Sequence, residues 1–231
     1  MKNYYVGWDV GAWHCDKNTN SMDAIAVLNE EGEEVVETKR KVVRCELNEN
    51  SISSFLNKYF GCKNFFKEGD NFIFAIDAVF RLPIGVQDIP ISCVPENYYA
   101  NNFLFRKTEQ VVREKTGKQC LSMIQHQIGS QATKVMFFLK KYNLKQAETG
   151  IWKTSDEKVI AVETYPSALG KKGTDKEDAK LCANLAYAFS TQYTTLYSPQ
   201  DYIEECKNKI EQLIKKEGWI WIPKSNFKKV N

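Results

Sequence analysis

The 231-residue sequence has no C-x-x-C pair, no long apolar run and almost no excess of charge. Its seven cysteines (Cys15, Cys45, Cys62, Cys93, Cys120, Cys182 and Cys206) are scattered and odd in number. Zinc and disulfide frameworks use paired spacings, so the pattern argues against both and for a reducing compartment. No apolar stretch approaches the roughly 20 residues that span a membrane. The opening "MKNYYVGWDV" lacks the apolar core and cleavage site of a signal peptide. The expectation is a cytoplasmic protein with no membrane partner. With 32 basic and 29 acidic residues the net charge is +3, which neither demands nor excludes nucleic acid. Any basic groove has to be local. Internal repeats and low-complexity linkers are also missing.

What is present is a large stock of core-forming residues, 43% hydrophobic and 13% aromatic. That is enough for one large domain or a domain with an insertion. Period-two patterning predicts strands over residues 3–10, "DAIAVLN" and "EEVVETKRKVVR", with a hairpin at Gly32 between the last two. "SISSFLNKYF" has helical spacing and "NFIFAIDA" reads as a fourth strand. An irregular stretch follows, holding Pro83, Pro90 and Pro95, of a length that is often functional. Helices are expected over "NNFLFRKTEQVVREKTG", over about 121–142, over "TDKEDAKLCANLAYAFS" and over "SPQDYIEECKNKIEQLIKK", with "KVIAVETYP" as a fifth strand. Thr174 and Glu177 fit a capping box. Three strands joined by short turns, then alternating helix and strand, predict a mixed five-stranded α/β sheet with helices on both faces.

Three of these strands end alike. The first aligns Tyr5, Gly7 and Asp9 on one face, the fourth Ile73, Ala75 and Asp77, the fifth Val159, Ala161 and Glu163. A single such carboxylate is explained equally well as the start of a turn. Three on adjacent strands repel one another, and a bound cation relieves that; hard oxygen donors suit Mg2+ or Mn2+. Gly7 then leaves room beneath an ion, although a close backbone contact explains it as well. Asp178 shares a helix face with Cys182, Leu185 and Phe189, and Asp175 lies one turn before it. Acidic residues in a first helical turn also favour the helix dipole, and Glu177 is assigned wholly to the cap.

This arrangement resembles the ribonuclease-H-like fold, and "TDKEDA" is similar to the D-x-x-D-A helix of bacterial Holliday-junction resolvases. "GWDVG", "AIDAVFRLP", "FRKTEQ", "VETYPSA", "EDAKLCANLAYAF" and "EGWIWIP", in that order, resemble an uncharacterised family of predicted nucleases, domain of unknown function family 429. The likeness runs from about residue 4 to 223. Glu109 stands where an aspartate is commoner in that family, and Phe80 is a bulky addition.

The resemblance implies a single ribonuclease-H-like domain over 1–231, with a loop and helical insertion at about 79–145. It implies a nuclease acting on DNA or RNA through two Mg2+ or Mn2+ ions. Asp9, Asp77, Glu163 and Asp178 are the expected catalytic ligands, with Asp175 as a further metal ligand. Arg81, Arg106, Lys107 and His14 are candidate substrate contacts; each also reads as an ordinary surface residue. Tyr98, Tyr99, Phe103 and Phe105 are candidates either for base stacking or for the core. One alternative is a non-catalytic member that binds metal or nucleic acid. Another, an actin-like ATPase domain suggested by "WDVG", needs a second domain and a glycine-rich segment that 231 residues with 12 glycines do not supply.

Overall fold

The computed structural model describes residues 1–12, 21–41, 43, 46–83, 103–124, 129–169, 173–206 and 210–228. His14, His126, Tyr98 and Tyr99 lie outside the described residues, as do Cys15, Cys45 and Cys93.

Alternating apolar residues build the sheet from its first strand. β1 (Asn3–Asp9) pairs antiparallel with β2 (Asp23–Leu28), which pairs antiparallel with β3 (Glu34–Lys41). Gly32 turns the β2–β3 hairpin at φ 77°. On the other side, β4 (Asn71–Asp77) runs parallel to β1, and β7 (Val159–Thr164) parallel to β4. These five strands are the expected mixed sheet, in the order β3-β2-β1-β4-β7.

The sheet continues beyond the five expected strands, and the alternation of Trp219 and Trp221 in "GWIWIP" is the sequence sign of one of the additional strands. A hairpin of β5 (Lys145–Glu148) and β6 (Ile151–Lys153) covers Ile160–Val162 of β7. Beyond it Glu163 and Thr164 pair with β9 (Ile220–Pro223), which also takes the two-residue β8 (Leu196–Tyr197).

Helices cover both faces. On one, α1 (Ile52–Phe60), capped by Ser51, packs with α3 (Gly129–Lys141) over Val6, Trp8, Phe74 and Ile76. Trp8, Phe55 and Phe138 meet at ring-centroid distances of 5.3–6.1 Å, each pair worth about 1 kcal/mol beyond its burial. α3 falls within the expected insertion yet supplies Val135, Phe138 and Leu139 to this core. On the other face lies α5 (Asp175–Thr191), behind the four-residue α4 (Pro166–Leu169). α2 (Lys107–Thr116), α6 (Pro199–Cys206) and α7 (Glu211–Glu217) complete the helices.

Three helix expectations need correction. The helix expected from residue 101 begins at Lys107, because Arg106 stays extended (φ −67°, ψ 157°) to reach its buried partners. The helix expected from 121 does not include residues 121–124: Ile124 lies outside it and exposed, and α3 is described from Gly129. The helix expected over 198–216 is described as α6 and α7, with Ile210 in a turn before α7 and residues 207–209 outside the described residues. No described helix is long and apolar enough to cross a membrane.

Candidate active site

Close packing of small residues brings the acidic side chains together. A Cβ on Gly7 would lie 2.0 Å from the Ala179 carbonyl oxygen and 2.1 Å from the Ala183 nitrogen. Gly7 is therefore filled space: its missing side chain lets α5 lie directly on the sheet, beside Ala24, Ala26 and Ala75. The alternative of open floor beneath an ion is excluded. That contact sets the first turn of α5, with Asp175 and Asp178, over the ends of β1 and β4. The turn is held by the expected capping box, in which the Thr174 amide donates to Glu177 Oε2 at 2.6 Å.

Asp9 and Asp77 are partners in the parallel β1–β4 ladder and point to the same face. Neighbouring strands lie about 4.8 Å apart, so the two carboxylates are close. Among the described residues neither has a hydrogen-bond or ion-pair partner for its side chain. Burial raises the pKa of Asp77 to about 8, and the charges of Asp178 and Glu163 add to the shift. Asp9 is raised well above the ordinary carboxylate range, first by burial and then by Asp77, Asp175 and Asp178. Asp178 accepts from the Gly173 amide at 3.4 Å. Asp175 forms an ion pair with Arg40.

Glu163 departs from the expected convergence. In the β4–β7 ladder Glu163 pairs with Ile76, one residue short of Asp77. That offset of one puts it on the opposite face, with Ala161 and Phe74. Its carboxylate is held by both terminal nitrogens of Arg106 and by the Phe80 amide at 3.2 Å.

Arg106 is also not the surface phosphate contact that was expected. It is fully buried, and its Nε donates to Glu109 Oε1 at 2.9 Å while Glu109 Oε2 accepts from its own amide. Burial disfavours its charge, but Glu163 and Glu109 outweigh that and push its pKa above the ordinary value. Lys107 opens α2, and its amide donates to Glu217 at 2.6 Å. Arg81 turns away, stacked on Trp152 and bonded to Gln146. Of the expected substrate contacts, His14 lies outside the described residues.

These groups line one cavity of about 190 Å3, with Asp9 and Asp77 on one side and Arg106, Glu109 and Glu163 on the other. Cys120 and Tyr165 join them, and sequence reasoning assigned neither a role. Tyr165, two residues past Glu163, donates to the Gln119 carbonyl at 2.9 Å. Cys120 carried no sequence signal, since an isolated cysteine reads as a small hydrophobe.

The donor chemistry of Asp9, Asp77 and Asp178 fits a hard divalent cation: carboxylate oxygens only, those of Asp9 and Asp77 without a partner among the described residues. The gathering is incomplete, because among the described residues no three His, Cys, Asp or Glu side chains are grouped closely enough to hold an ion. No family model, no curated protein and no solved structure matches the chain.

Proposed function

We propose that this chain is a divalent-metal-dependent phosphodiester hydrolase acting on nucleic acid, with a ribonuclease-H-like sheet and membership of the predicted-nuclease family it resembles. One observation carries the reading: two in-register carboxylates, Asp9 and Asp77, face a cavity with no partner among the described residues and with further carboxylates beside them. Burying like charges without compensation is costly, and such sites persist where a ligand supplies the missing charge. The strand order β3-β2-β1-β4-β7 and the helix carboxylates suit the same fold. Among the described residues Cys62, Cys120, Cys182 and Cys206 are free, which suits the cytoplasm.

Asp9, Asp77 and Asp178 would hold magnesium or manganese, which supplies the Lewis acidity that phosphodiester hydrolysis draws on. The rest is the work of the chain. In the ion-free protein Asp77 keeps a proton at neutral pH, so cation binding competes with that proton. Arg106 pairs with both Glu163 and Glu109 and offsets one of their two charges, so the far wall of the cavity repels an incoming phosphate less than two free carboxylates would. The α5–sheet contact at Gly7 fixes the distance of Asp178 from the strand ends.

The test is a cleavage screen over DNA and RNA substrates with Mg2+ and Mn2+, wild type against Asp9→Asn. The expected result is metal-dependent cleavage that falls about a hundredfold or more in the variant, the scale of losing one preorganised charge. Cleavage indifferent to Asp9 would sink the mechanism. A second reading, metal or nucleic-acid binding without turnover, draws on the incomplete gathering of the carboxylates. It predicts no cleavage by either protein and metal binding lost in Asp9→Asn.

A further inference from the structure

A second concavity begins where the first ends. Val79 lines the carboxylate cavity, and Phe80 and Arg81 line a groove of about 590 Å3 beside it. That volume is within the range of roughly 300–1,000 Å3 usual for ligand clefts. The groove's floor and walls are otherwise largely apolar (Leu82, Met136, Leu139 and Leu144 with Trp152), and the charged residues of its lining are three cations, Arg81, Lys140 and Lys145, with no carboxylate. Lys140 and Lys145 are exposed, and among the described residues neither side chain has an ion-pair partner. In a chain of net charge +3, this is the kind of local basic patch an anionic polymer requires.

The groove also has a plate. The Arg81 guanidinium lies 4.9 Å from the centroid of the Trp152 ring, and Phe80 meets that ring edge-on at 6.3 Å. Arg81 Nη2 donates to Gln146 Oε1 at 2.8 Å, which fixes the guanidinium plane. Its Nε is buried with no hydrogen-bond partner among the described residues, an unsatisfied donor beside the groove. Bases stack on aromatic rings and on guanidinium planes, while lysines track the backbone of a single strand.

We infer that this groove binds a single-stranded segment of nucleic acid, its bases on the Arg81–Trp152 stack and its phosphates at Lys140 and Lys145. The strand then leads past Phe80 into the carboxylate cavity. A lone basic patch would also take an acidic peptide; the planar stack is what favours bases. The inference rests on the nuclease reading for its purpose, but its test does not.

Fluorescence anisotropy with labelled oligo-dT and oligo-U in EDTA measures binding with cleavage switched off. Lys140→Gln/Lys145→Gln should lower the slope of log affinity against log salt by about 1.4, two phosphate contacts on a single strand. Trp152→Ala should weaken binding roughly tenfold, the scale of one lost stack. The two lysines are exposed, so that variant tests the groove without disturbing the core. The inference is overturned if the wild type does not bind single strands, if the lysine variant keeps the wild-type slope, or if polyglutamate displaces the oligonucleotide as well as an unlabelled strand does. Groove binding without metal-dependent cleavage would leave this inference standing and remove the nuclease reading. Cleavage unaffected by the groove variants would do the reverse.

Discussion

Two sets of acidic side chains lie around the neighbouring ends of β1, β2, β4 and β7 and are treated in opposite ways. Asp23 is fully buried, and Lys134 Nζ meets it at 2.8 Å, also fully buried. Trp8 Nε1 and the amides of Gly11 and Val43 complete its shell. Glu163 and Glu109 share Arg106 in the same fashion. Asp9 and Asp77, a few residues from both, have no such partner among the described residues. Among the described residues the chain therefore sets cations against buried acids at two places and sets none against Asp9 and Asp77. On the proposed reading, the first arrangement holds the fold together and the second awaits a counter-charge from a ligand.

The sharpest way to break this contrast is to remove the internal cations. Lys134→Met and Arg106→Met each leave a buried carboxylate uncompensated and should cost about 3–5 kcal/mol. Urea unfolding checks this; a loss under 1 kcal/mol would mean the two ion pairs are not structural. Removing a charge from the other set should have the opposite sign. Asp77 has its pKa raised to about 8 in the fold, so the folded chain holds a proton that the unfolded chain releases near pH 4. Stability from this group is intact at low pH and is lost as pH rises from about 4 to about 8. In the ion-free protein Asp77→Asn should remove that slope and stabilise by up to about 4 kcal/mol at pH 7. Equal pH slopes in wild type and variant would show that Asp77 is not desolvated.

The sequence made one half of this contrast legible and hid the other. Asp9, Asp77 and Asp178 stand out because strand and helix periods place each at an element end beside small residues, and the register of β1 with β4 bears that out for the strand pair. Glu163 has the same local pattern, yet pairing with Ile76 turns it to the other face. Register between strands distant in sequence is a tertiary property, and no period within one strand carries it. Arg106 looked like a surface cation because its two acceptors are remote or masked by helix periodicity. The β5–β6 hairpin escaped notice because its strands are too short to show alternation. Gly7 had two readings, and only the position of α5 chose between them.

The smallest expected effect separates the two acidic sets most cleanly. An ion that binds only the folded chain stabilises it by about 1.4 kcal/mol at ten times its dissociation constant. Mg2+ or Mn2+ should therefore raise the melting temperature of the wild type by a few degrees. Because the ion displaces the proton on Asp77, the rise should grow between pH 6 and pH 8 as that proton becomes easier to remove. Asp77→Asn should abolish the rise. Glu163→Gln should retain it, since Glu163 faces Arg106 from the other side of the sheet. A rise that survives Asp77→Asn but disappears in Glu163→Gln would move the cation to the far wall of the cavity. The unpartnered pair would then be an accident of packing rather than the site.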